Sequence, residues 1–345
     1  MEQNLNEILK SHVTSTQDTT NKLLGASFIL LSTNEKDTPK TATLYKGSAG
    51  RIGFDLSSPA FSVDSFTWLA SLTNMLLTHT LGTTYVPMTP DLIKWSQKQG
   101  RPILTTDWSI EGLSVPLAFA PGDGWIYGTS LDWAGLLIER VTGMSLGAYM
   151  ESNIFRPLGM NDTGFWPDKL PQTASRTVAW CHRKPSSDLE PMERLTPVEH
   201  EFESGGAGLY GTADDYARFL RGLLDGKLVG DDGLSLVFSP QLNDSQKKAL
   251  NDMIYRPGFH RAAAPEFPLG IEIDHSIGGV INLQDVPGKR RKGSLMWSGM
   301  CNSHWWIDRE TGIAAVLIVN VLDSGDAVVV QLYDELERAV YAGRK

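Results

Sequence analysis

The stretch Tyr127-Gly128-Thr129-Ser130-Leu131-Asp132-Trp133-Ala134-Gly135, running on through Leu136-Leu137-Ile138-Glu139-Arg140-Val141-Thr142 to Gly143, decides how this chain is read. Ser130 is positioned to cap a helix whose apolar residues Leu131, Ala134, Leu137, Ile138 and Val141 recur at spacings of three and four. Gly143 ends that helix, and Ser145 opens a second one through Tyr149 to Phe155 that Pro157 stops. Gly143-Met144-Ser145-Leu146-Gly147 fits G-x-S-x-G, but a nucleophile elbow needs a strand before its serine. A helix precedes Ser145, so it reads as a cap. Further on, Thr212 with Asp215 resembles a capping box. The stripe Tyr216, Phe219, Leu220, Leu223 and Leu224 follows, with Gly226 as the C-terminal cap.

Outward from this helical middle, both ends turn to strands. Leu24 to Leu31 is an apolar run of strand length, and Thr41 to Tyr45 reads as its antiparallel neighbour, with Gly47, Gly50 and Gly53 as turn residues. Residues 3–12 form an amphipathic helix through Leu5, Ile8 and Leu9, and Phe66 to Leu77 has the dense apolar texture of a buried helix. Near the other end, Ser303 to Asp308 and Ile313 to Leu322 flank the turn Arg309-Glu310-Thr311-Gly312. Ser324 then caps a final helix with Val328, Leu332, Leu336 and Val340 on one face. The order predicts an α/β fold in which an antiparallel sheet, built from both termini and flanked by helices, carries an inserted mostly helical lobe. The expected division is one two-lobed domain, with residues 1–73 and 260–345 as the α/β lobe and 74–259 as the helical lobe.

Composition narrows the function. The chain has 345 residues, 41% hydrophobic and 21% charged, which is ordinary globular usage and excludes a disordered chain. Thirty-one Lys and Arg against 40 Asp and Glu give a net charge of −9, which disfavours a nucleic-acid partner. Cys181 and Cys301 are too few for a disulfide framework or a four-thiolate zinc site. The first ten residues are acidic where a signal peptide is basic, and no run reaches the roughly 18–20 apolar residues of a membrane span. A cytoplasmic protein without a membrane partner is expected.

Single motifs are weak. Gly206-Ala207-Gly208-Leu209-Tyr210-Gly211 fits the dinucleotide fingerprint, but charged residues stand before it where a strand is required, so no cofactor is assigned. None of the seven histidines forms a metal-binding spacing, and no metal is expected. Lys289-Arg290-Arg291-Lys292 is the one basic run and reads as a solvated loop, with contact to an anionic substrate group as its other reading. His304 in an aromatic strand reads as packing.

Several pieces taken in order carry more. They are Trp68-Leu69-Ala70-Ser71-Leu72-Thr73, Leu76 to Gly82 around His79, Phe119 to Gly135 around Tyr127, Ile154 to Phe165, Gly205 to Phe219, Trp297-Ser298-Gly299, and Trp305-Trp306-Ile307-Asp308. This series resembles the serine beta-lactamase-related family, from class C beta-lactamases and esterases to fungal transesterases of the lovastatin type. The resemblance runs from about residue 22 to 342. Its paired tryptophans and Tyr-Gly-x-Ser-x-Asp-Trp-x-Gly segment look most like the fungal branch.

The resemblance implies acyl transfer through a serine ester, with Ser71 as nucleophile and Tyr127 as the tyrosine that takes its proton. A serine hydroxyl needs such a base at neutral pH. Thr129 stands where the family often has Asn. Trp297, Ser298 and Gly299 stand at the sheet edge that walls the site, with a backbone N–H there and that of Ser71 as the oxyanion hole. Beside the resemblance, Trp297, Trp305 and Trp306 read either as lining of an apolar acyl pocket or as core filling, and Trp305 is taken as a candidate lining residue. The implied substrate is a small hydrophobic ester or an acyl thioester, with an acyl-carrier domain as a partner. The chain departs from the pattern at one place. The family's S-x-x-K reads Ser71-Leu72-Thr73-Asn74, and Thr73 runs straight into a segment that the family places several tens of residues later. The lysine and the segment after it are thus expected to be missing. An alternative follows, a catalytically degenerate relative, because loss of a positioned base removes about 10²–10⁴-fold of rate.

Overall fold

A computed structural model describes residues 1–33, 41–69, 78–99 and 105–343. Helix α1 (Glu2–His12) precedes strands β1 (Gly25–Thr33) and β2 (Thr41–Gly50). The middle carries α2 (Ser130–Thr142), α3 (Ala213–Leu224) and α4 (Asp244–Ile254). Strands β3 (Ile273–Ser276), β4 (Gly279–Asn282), β5 (Leu295–Ser298), β6 (His304–Asp308) and β7 (Ile313–Ile318) follow, and α5 (Ala327–Ala342) closes the chain. The seven strands form one antiparallel sheet in the order β2-β1-β7-β6-β5-β4-β3. The early and late strands therefore meet at β1 and β7, where Ile29 pairs with Val316.

Both faces of β1 are covered, which explains its continuous apolar run. Successive side chains point to opposite faces. Phe28 stacks on Trp306, which in turn meets Tyr333 of α5, whereas Ile29 shares a cleft with Ala217 of α3. α1 lies beside α5 and β2.

Several local expectations need correction. α2 ends as predicted, with Gly143 as a left-handed cap at φ 70°, but Thr129 rather than Ser130 stands at its N-cap, and its buried face is Ser130, Leu131, Asp132 and Gly135. Leu137 and Val141 are 63% and 76% exposed. The helix is rotated toward its small and polar residues because Leu146 packs onto Gly135, where a Cβ would lie 2.9 Å from the leucine's Cδ2. Pro157 lies inside a last short turn (Arg156–Leu158), and Gly159 ends it. Thr212 caps α3 through the Asp215 N–H, but the Asp215 carboxylate accepts from the Asp162 N–H and the Thr163 hydroxyl rather than closing a reciprocal box.

The final helix is capped by Asp326, not Ser324, whose hydroxyl donates to the Met300 carbonyl. Thr67–Trp68 is a short strand paired with Tyr210–Gly211, so the helix expected over Phe66 to Leu77 does not start at Phe66. Residues 70–77 of that stretch lie outside the described residues. The Gly206–Gly211 loop also ends in this small sheet. The basic run is not a solvated loop throughout, since Lys289 and Arg290 are buried. Arg290 Nε donates to Glu337 at 2.7 Å, and Lys289 pairs with Asp334 at 2.5 Å.

Candidate active site

The element that positions Tyr127 is a backbone clasp. The Ile126 N–H donates to the His79 carbonyl at 3.1 Å, and the Thr84 hydroxyl donates to the Tyr127 carbonyl at 2.7 Å. Thr83 and Ser130 hydroxyls meet at 3.0 Å. The clasp needs a glycine at 128, because a Cβ there would overlap the Cα of Thr84. Tyr127 is thereby fixed at the mouth of α2.

Strand β5 supplies the opposite wall. Trp297 and Ser298 end the strand, and Gly299 begins the turn to β6. Between this edge and Tyr127 lies a cavity of about 490 Å³. Trp68, Trp108, Trp125 and Trp297 line it with Tyr85 and Tyr127. A pocket of this size suits a small organic ligand.

Of the candidates read from sequence, the structure brings Tyr127, Trp297, Ser298 and Gly299 to one cavity. Ser71 and Asn74 lie outside the described residues. Thr129 is buried at the start of α2 and does not line the cavity. Trp305 pairs with Trp297 across β5 and β6, yet it is fully buried and absent from the lining, so it packs the sheet. The Gly299 N–H donates to the Ser303 carbonyl at 2.8 Å and is committed to its turn, so this N–H is not an oxyanion donor. His304 stacks on Tyr333 at 4.4 Å, away from the cavity lining.

Three groups were not found by sequence reasoning. Tyr85 stands 5.8 Å from Tyr127 between ring centres, and the phenols are hydrogen-bonded. Burial, the nearby charges of Tyr127 and Asp132, and that bond hold the Tyr85 phenol well above the usual tyrosine range. Tyr85 therefore keeps its proton. His79 and His275 stand behind the wall with ring centres 5.6 Å apart, and both contact Trp125 and Trp297. Burial lowers both, His79 well below the histidine range and His275 to about 4, so both are neutral at pH 7. Neither histidine stands at a diagnostic spacing, and only their place in the fold couples them.

Asp132 is the third. It sits in the first turn of α2, lines the cavity, and accepts the Ser204 hydroxyl at 2.5 Å and the Gly206 N–H at 3.2 Å. Burial outweighs both hydrogen bonds and raises its carboxyl to about 6. The motif containing it pointed to the segment, but nothing in the spacing showed that its side chain faces a cavity. Cys301 donates to the Trp68 carbonyl at 2.9 Å, and burial pushes Cys181 up to about 12 and Cys301 to about 11, so neither thiol is a ready nucleophile. Among the described residues no three His, Cys, Asp or Glu side chains converge as a metal cage, and no helix is long and apolar enough to cross a membrane.

The sheet with helices on both faces, and a cavity between its edge and a tyrosine from the helical middle, define a beta-lactamase/transpeptidase-like fold. Residues 72–339 match the Beta-lactamase family, and the chain belongs to it. A monacolin J acid methylbutanoyltransferase of Aspergillus terreus is 32% identical over 280 residues, covering 77% of this chain and 66% of that protein. A lovastatin esterase of Penicillium rubens is 32% identical over 261 residues, covering 70% of this chain and 62% of that protein. The chain thus spans just under two thirds of the length of these curated relatives. A simvastatin synthase variant from Aspergillus terreus superposes with a TM-score of 0.86 at 24% identity, covering 99% of this chain and 94% of that one, a likeness of fold.

Proposed function

We propose that the protein catalyses serine-type acyl transfer, as an esterase or transesterase acting on a small hydrophobic ester or an acyl thioester. The observation that carries this reading is the meeting of Tyr127 and the Trp297–Gly299 edge around one aromatic cavity, in the arrangement the family motif predicts. In this reading the Ser71 hydroxyl adds to the acyl carbonyl as Tyr127, acting as its phenolate, takes its proton. The leaving alcohol or thiol departs with that proton, and the acyl group then passes from Ser71 to an acceptor alcohol or to water. Tyr85, which keeps its own proton, hydrogen-bonds Tyr127 and orients it. The relatives' roles support a place in secondary-metabolite biosynthesis; an acyl-carrier domain as a thioester-bearing partner is part of the same proposal.

The test is labelling with a serine-reactive alkyl phosphonate, read by intact mass. Wild type is expected to take up one phosphonyl group and Ser71→Ala none. Equal labelling of both, or no labelling of wild type, defeats the reading. A second reading, a relative that binds without turnover, follows if Asn74, three residues after Ser71, stands where the resemblance implies a lysine. Ester turnover that disappears in Ser71→Ala would eliminate it.

A further inference from the structure

Asp132 is 3% exposed, and it is the one charged side chain among the described residues that line the cavity. Its Oδ1 accepts from Ser204 and Gly206, the two side-chain hydrogen bonds it makes among the described residues. A carboxylate removed from water without a counter-charge is costly, and native proteins ordinarily pair it. Here the described lining offers no lysine, arginine or histidine to do so. What surrounds it instead is aromatic. The faces of indole and phenol rings attract cations and repel anions. The net charge of −9 adds a field of the same sign.

We propose that the cavity takes a substituted-ammonium group, as in an amino alcohol or its ester, with the cation against Oδ2 of Asp132 and its alkyl groups against the tryptophan and tyrosine rings. The inference rests on the acyl-transfer reading for the ligand's role and deepens it by naming the class of acceptor or ester. Binding itself does not depend on turnover. A carboxyl near 6 is mostly ionised at pH 8, the state that this ligand requires.

Three isosteric probes separate the possibilities, with quenching of the lining tryptophans as readout at pH 8. They are choline, 3,3-dimethylbutan-1-ol, in which carbon replaces the cationic nitrogen, and 4,4-dimethylpentanoate, which carries a negative charge. Choline is expected to bind at least about tenfold tighter than the neutral alcohol, which corresponds to about 1.4 kcal/mol, and the carboxylate weakest. In Asp132→Asn, whose amide oxygen still accepts from Ser204, choline and the alcohol are expected to bind alike while the alcohol's affinity is unchanged. No saturable choline binding, or an alcohol or carboxylate bound as tightly as choline by wild type, overturns the proposal. So does an undiminished preference in Asp132→Asn. The wild-type ranking decides the matter even where the variant does not fold. Phosphonate labelling of Ser71 reads the acyl-transfer proposal separately, so either fails without the other.

Discussion

Two buried polar regions of this molecule are built on opposite terms. Between the sheet and α5, Arg290 is fully enclosed, donates to Glu337 and to the Tyr333 hydroxyl at 2.9 Å, and lies 5.3 Å from the Trp306 ring. Lys289 adds contacts to Asp334 and Glu337. Every charge there has an opposite charge from the same chain. Around the cavity the accounting differs. Neither ring nitrogen of His79 has a hydrogen-bond partner, nor does Nε2 of His275, and no cation stands among the described residues that line the cavity with Asp132. The first region is closed within the fold and holds the terminal helix on the sheet. The second is held by aromatic packing, and its one charged group among the described residues, Asp132, faces the cavity.

The contrast is broken most severely at Arg290. Arg290→Ala leaves Glu337 buried beside one remaining cation, and a loss of about 3–5 kcal/mol in unfolding free energy is expected by urea denaturation. Replacing both partners, Arg290→Met with Glu337→Leu, is expected to restore most of that loss. A double variant as unstable as the single one would show that the pair does more than compensate itself.

Acid sharpens the contrast next. His275 is lowered to about 4 in the fold against an ordinary 6.5, so the unfolded chain binds its proton first as pH falls. Its contribution is complete above about 6.5 and lost progressively toward 4, about 3 kcal/mol in all. His79 shifts in the same direction. Asp132 runs the other way, because its raised carboxyl takes up a proton near 6 in the fold and only near 4 when unfolded, which stabilises the fold over that range. Two histidines outweigh one acid, so urea midpoints are expected to fall between pH 6.5 and 4. His275→Phe is expected to flatten that fall, and an unchanged pH slope in this variant would count against the assignment.

Smaller effects follow from shape. Gly128→Ala forces a Cβ into Thr84, and a cost of about 1–3 kcal/mol is expected by thermal unfolding, together with loss of ligand-induced quenching as Tyr127 moves. Val141→Ala is expected to change stability by less than about 0.5 kcal/mol, because that side chain faces water. A large effect there would mean that the apolar stripe of α2 is covered by something outside this chain.

Strands β1, β2, β6 and β7 were legible because they are continuously apolar, as in β1, or set off by a hairpin turn, as at Arg309–Gly312, whereas β3 and β4 carried no such signal and were not read. Helix ends were legible where a cap carries the signal, as at Ser145, Thr212 and Gly143. Facing was not. The spacing in α2 pointed Leu137 and Val141 inward, yet the side chains that found partners were Asp132 and Gly135, through Ser204, Gly206 and Leu146. Periodicity measures which residues share a face, whereas burial depends on what the neighbouring segment offers. Likewise Trp297 and Trp305 are alike in sequence and adjacent across a ladder, but one lines the cavity and the other fills the sheet.

By itself, the sequence determined the strands nearest both ends, several helices between them and, through motifs taken in order, the family, because these depend on local caps, turns and motifs a few residues long. Only the tertiary structure decided that Tyr85, Asp132, His79 and His275 belong with Tyr127. It also decided that Thr129, Trp305 and the Gly299 N–H do not serve the cavity and that Lys289 and Arg290 of the basic run are buried in ion pairs. Those outcomes rest on contacts between segments as far apart as Tyr85 and Trp297. No spacing along the chain encodes such contacts, and they exist only once burial has fixed which side chains must share one low-dielectric space.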